Sequence, residues 1–105
     1  MKWRDDKSNL TQVVDEAIHN KRLISAKCCD NPETHVFGYV HRNNRGSAWG
    51  WCSHCGAFVH LDGVTFPQSW KNVNELPLEM LYAVPINLEE RKAIIDKHMA
   101  EFLKS

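Results

Sequence analysis

Apolar residues early in the chain recur at Leu10, Val13, Val14, Ala17 and Ile18. This is the i, i+3, i+4, i+7, i+8 stripe of a helix with one buried face. Ser8 stands where such a helix takes its N-cap, and Asn20-Lys21-Arg22 ends the stripe with a basic pair suited to a helix C-terminus. The spacing therefore predicts a helix over 9–21. Leu23 to Ala26 reads as a connector or short strand, and Asp30-Asn31-Pro32 as a turn.

From Thr34 the pattern changes. Val36, Phe37, Tyr39 and Val40 make Thr34 to Arg42 a strand. A turn over Asn43 to Ser47, with Gly46 available for a positive φ, leads to a second strand over Ala48 to Cys52. Ala57 to Leu61 forms a third, ending at Asp62-Gly63. Val64 to Trp70 is irregular, with one helical turn at Pro67. Leu78 to Val84 lies between prolines and is ambiguous between strand and short helix. Asn87 caps the clearest helix, over 88–103, with Glu90 completing a capping box. Its buried face is Leu88, Ile94, Ile95, Met99, Phe102 and Leu103. The expected architecture is one α+β domain over residues 1–105: a three-stranded antiparallel β-meander flanked by an N-terminal and a C-terminal helix.

Composition narrows the class. An apolar fraction of 43% and four tryptophans belong to a folded chain. Thirteen basic and thirteen acidic residues cancel, so no general attraction draws the chain to phosphate backbones. His41 to Arg45 is the nearest basic patch, and it is short and turn-like. Charges in Met1 to Lys7 stand where a secretory signal needs an apolar run, and no stretch reaches the roughly 18 apolar residues of a membrane span. A cytoplasmic chain is expected, in which four cysteines point to metal or redox chemistry before disulfides.

The chemistry concentrates in Cys52-Ser53-His54-Cys55-Gly56. Two thiols at this spacing hold one tetrahedral ion, and a glycine after the second lets backbone amides turn toward the sulfurs. Cys28-Cys29 lies one hairpin upstream. If Arg42 faces Ala48 across the turn, Gly38 faces Cys52 and His35 faces Cys55, where cross-strand Cβ atoms are about 4.5–5.5 Å apart. His41 would then lie about 10 Å up the strand, at roughly 3.4 Å per residue. The expected ligands are Cys52, Cys55, Cys29 and either Cys28 or His35, with zinc as the ion. His54, His60, His19 and His98 read as surface or boundary residues, and Trp49, Trp51 and Trp70 as core.

Over residues 28–61 the chain resembles the zinc-ribbon class, in which two knuckles joined by strands hold a structural zinc. It departs at the first knuckle, where Cys28 and Cys29 are adjacent instead of separated by two residues. Trp51-Cys-Ser-His-Cys55 also looks like the active-site motif of the thioredoxin family, but the residues that follow read as strand and turn, not as that family's long helix. No His-Glu-x-x-His pattern or phosphate-cradling glycine loop occurs, and no Ser-His-Asp arrangement is recognisable. The expectation is a non-enzymatic zinc protein that binds another protein, as an adaptor, a regulator or a toxin-neutralising immunity protein. Thiol–disulfide exchange by Cys52 and Cys55, and nucleic-acid binding by a zinc ribbon, are the alternatives.

Overall fold

A computed structural model of the chain describes residues 2–70 and 85–104. The ambiguous Leu78 to Val84 segment lies outside the described residues. Strand β1 (Arg4–Asp5) is followed by helix α1 (Lys7–Asn20), strands β2 (Thr34–Arg42), β3 (Arg45–Cys52) and β4 (Ala57–Thr65), a 3-10 turn (Gln68–Trp70), and helices α2 (Pro85–Glu90) and α3 (Lys92–Lys104). The β2–β3–β4 meander is present, but the sheet has four strands in the order β1-β4-β3-β2. The added strand is only two residues long and pairs parallel to β4, placing Arg4 opposite Ala57. So short a strand has no period of its own to read.

Helix α1 buries the five residues of the predicted stripe. Asp6, not Ser8, occupies the N-cap position, and its carboxylate accepts hydrogen bonds from Ser8 Oγ (3.1 Å) and Asn9 Nδ2 (3.0 Å). At the other end Lys21 adopts the left-handed conformation (φ 51°) that closes the helix. The C-terminal prediction divides into two helices around Arg91, and Asn87 lies inside α2 instead of capping it. Leu88, Ile95 and Met99 are buried as expected, whereas Ile94 is 59% exposed.

The hairpin register differs from the expected one by three residues at the turn and, past an irregularity between Val40 and Arg42, by four along the rest of the strands. Asn43 and Asn44 both take positive φ (55° and 59°) and form a two-residue turn, so Arg42 faces Arg45. Asparagine tolerates this region, and paired left-handed residues match the twist of a tight hairpin. Gly46 is therefore not a turn residue. It lies in β3, where a Cβ would meet the Tyr39 carbonyl oxygen at 1.9 Å.

Alternate strand residues face opposite sides of the sheet. On one side α1 packs so closely that a Cβ on Gly50 would meet Val14 Cγ2 at 3.0 Å and Leu10 Cδ1 at 3.6 Å. Trp70 is buried on this side, with its indole N–H donated to the Ile18 carbonyl at 3.1 Å. The other side carries stacked rings: His35 on Trp51 (5.1 Å between centroids), Phe37 on Trp49 (5.4 Å) and Trp49 on His60 (4.8 Å). Trp49, Trp51 and Trp70 are core residues, as their sequence context implied.

Candidate metal centre

The end of β3 and the start of β4 form a tight knuckle. Gly56 takes φ 83° and donates its amide to the Cys52 carbonyl at 3.1 Å, a conformation a side chain would strain. The Ser53 amide donates to the Glu33 carbonyl at 2.9 Å, which ties the knuckle to the segment entering β2. Opposite it, Cys28 and Cys29 sit in a bend, anchored on one side by the Ala26 amide donating to Thr34 Oγ1 at 3.0 Å.

This arrangement brings the sulfurs of Cys28, Cys29, Cys52 and Cys55 within 4.8 Å of one another. The Cys28–Cys29 separation is 4.0 Å and the Cys29–Cys52 separation 3.9 Å. A metal–sulfur distance of about 2.3 Å in a tetrahedron implies edges of about 3.8 Å. A disulfide requires about 2.05 Å. The four thiols are free and positioned to bind a metal ion. Adjacent Cys28 and Cys29 both reach the cluster because the bend turns their side chains to the same centre.

The environments of the thiols differ. Burial acts to raise the Cys52 thiol, but donors at the backbone of Cys55, Glu33 and His54, with the Cys28 thiol, outweigh it and lower it to about 7. Cys28 is pushed up, first by burial and then by the neighbouring sulfurs of Cys55 and Cys52. Desolvation likewise holds Cys29 above its ordinary value. Thiolate is the form that binds metal, so Cys52 is better prepared as a ligand than Cys28 or Cys29.

His35 lies outside the thiol group. It faces Trp51, not Cys55, and Thr34 is the residue opposite Cys52. Strand alternation therefore sends the imidazole to the far side of the sheet. There it is 3% exposed, with Nδ1 2.7 Å from Asp96 Oδ1 and Nε2 2.8 Å from both Glu33 Oε2 and Ser53 Oγ. Ser53 Oγ donates to Glu89 Oε2 at 2.6 Å, and Trp51 Nε1 donates to the same oxygen at 3.1 Å. Lys92 Nζ joins Glu33 (2.9 Å) to Glu89 (3.1 Å).

Asp96, His35 and Ser53 thus come together in the order of a hydrolytic triad, although the sequence offered no sign of it. The surrounding bonds assign another role. A triad base needs a free Nε2 lone pair aimed at the serine proton. Here Nε2 faces the Glu33 carboxylate, the serine proton goes to Glu89, and the Ser53 amide is already donated to Glu33. The network clamps the knuckle to α2 and α3.

Of the remaining histidines, His54 and His19 are exposed, His98 is half-buried, and His60 pairs with Asp62 at 3.0 Å. Ser53 and Arg4, like Asp96, Glu89 and Lys92, carry no signal in the sequence. Ser53 was hidden as the interior of a knuckle, and Arg4 as one charge in a charged leader. Arg4 Nη2 donates to Cys55 Sγ at 3.3 Å.

No protein-family model matches the chain, and neither does a curated protein or a solved structure. Among the described residues, no helix is long and apolar enough to cross a membrane.

Proposed function

We propose that this chain is a non-enzymatic zinc protein in which Cys28, Cys29, Cys52 and Cys55 hold one structural ion, and that it acts by binding another protein. The observation that carries the zinc reading is the four-sulfur cluster with edges near those of a tetrahedral thiolate site. Thiolate softness and tetrahedral shape favour zinc. Four protein ligands complete its coordination, so the ion supplies folding free energy instead of an open catalytic position.

A redox role is less well supported. Cys55 leads through Gly56 directly into β4, not into the helix that follows a thioredoxin-type motif. Protein binding is the role left to a charge-neutral chain whose ion is structural, and the exposed Ile86 and Ile94 on adjoining helices offer apolar contact. An adaptor, a regulator or a toxin-neutralising immunity protein all fit this description. Chelation followed by far-ultraviolet circular dichroism tests the structural part: loss of the folded signal on metal removal and recovery with zinc support it, and an unchanged signal contradicts it. For the binding part, a partner held by the native chain and lost with Ile86→Glu or Ile94→Glu supports the reading. A partner held equally by both variants removes these residues from it.

A further inference from the structure

We infer that Arg4 is an outer-sphere residue of the thiol cluster, whose guanidinium shields the Cys55 sulfur from electrophiles. The inference rests on the four-thiolate metal reading. Four thiolates around a divalent cation leave a net charge of −2, and a cationic N–H donor directed at one sulfur offsets part of it. The same bond occupies electron density that an alkylating or oxidising agent would attack.

The placement is built from the backbone outward. The Arg4 amide donates to the Gly56 carbonyl at 2.9 Å and the Asp6 amide to the Phe58 carbonyl at 2.8 Å, so strand pairing alone sets Arg4 beside the knuckle. From there Nη2 reaches Cys55 Sγ at 3.3 Å, and Nη1 reaches Asp6 Oδ2 at 3.3 Å. Asp6 is itself fixed by Ser8 and Asn9 at the start of α1. A planar guanidinium is suited to serve a sulfur and a carboxylate at once; an ammonium is not. Cys28, Cys29 and Cys55 are all partly exposed, so their relative reactivity depends on such local contacts.

Because the strand pairing uses only main-chain atoms of residue 4, replacing the side chain leaves β1 in place. The test uses the full chain loaded with zinc, a neutral alkylating agent (iodoacetamide), and mass-spectrometric mapping of each cysteine over time. In Arg4→Met, alkylation of Cys55 should rise about tenfold, the effect of losing one charged hydrogen bond, with Cys28 and Cys29 changed less than about twofold. Arg4→Lys should fall between, since it keeps the charge and loses the fork. Equal acceleration at all three cysteines would mark general loosening and overturn the inference, as would an unchanged Cys55 rate. A wild-type chain that binds no zinc overturns the metal reading together with this one. Bound zinc with an unchanged Cys55 rate overturns this one alone.

Discussion

His35 and Asp96 meet between β2 and α3 with Nδ1 and Oδ1 2.7 Å apart, although 61 residues separate them in the chain. The contact places a nearly buried ring between two carboxylates, Asp96 and Glu33, each of them about half exposed. Both ring nitrogens are used, and the ring face stacks on Trp51. His35→Ala removes these bonds together and should lower stability by about 2 kcal/mol, the loss expected for a charged hydrogen-bond pair with solvent-reachable partners. Urea denaturation of the metal-loaded chain measures it. A change below about 0.5 kcal/mol, as for an ordinary surface substitution, would deny the clamp a structural role.

The same network gives a pH dependence. Hydrogen bonding from Lys92, then from His35, holds the Glu33 carboxyl at about 2, below its ordinary 4.5. A depressed folded value means that the contribution is complete above 4.5 and is lost as pH falls from there toward 2. The stability difference between the native chain and Glu33→Gln should therefore be constant from pH 7 to 5 and shrink below about 4.5. Acid also protonates thiols, so the comparison must be made between the two proteins at each pH. A difference that stays constant down to pH 2.5 would contradict the assignment.

Gly46 tests the hairpin register. Its absent Cβ is 1.9 Å from the Tyr39 carbonyl oxygen, a backbone atom that cannot rotate away. The Cβ of Gly50 would meet the tip of Val14 at 3.0 Å, where a side chain can give. Gly46→Ala should cost about 3 kcal/mol and Gly50→Ala about 1 kcal/mol, the upper and lower parts of the usual overpacking range. Paired thermal melts decide it, and the reverse order would refute the register.

The elements legible in the sequence were those with a strong period or a rigid residue. The α1 stripe, the β2 bounds and the Cys52–Gly56 knuckle could all be read directly, because each rests on local chemistry. The hairpin register could not. Gly46 and the Asn43-Asn44 pair compete for the turn, and close backbone approach at Gly46 looks in a sequence like a need for positive φ. His35 misses the thiols because β3 ends at Cys52 and the knuckle turns Cys55 back toward β4, so the strand partner of His35 is Trp51 and its ring shares the Trp51 side of the sheet. Cys28 joined the cluster despite its adjacency to Cys29, since the bend orienting both has no residue-level signature. Arg4, Ser53 and Asp96 depend on contacts across the fold that no spacing encodes.

Loss of a single ligand should act on folding before it acts on anything else. Cys52→Ser removes the buried sulfur, and Cys55→Ser the one bonded to Arg4. Structural zinc contributes on the order of 10 kcal/mol in small zinc-dependent folds, so either variant should show reduced soluble yield and loss of a cooperative thermal transition. Retention of the native melting temperature by both would remove the ion from the account of stability. His35→Ala, in contrast, should keep full metal content.

The most direct measurement is the metal content of the purified full chain by elemental analysis, read beside the count of thiols that react without denaturant. One zinc per chain is expected, with four protected thiols that become reactive together on chelation. Less than a tenth of an ion per chain, with all four thiols freely reactive and the protein still folded, would contradict it.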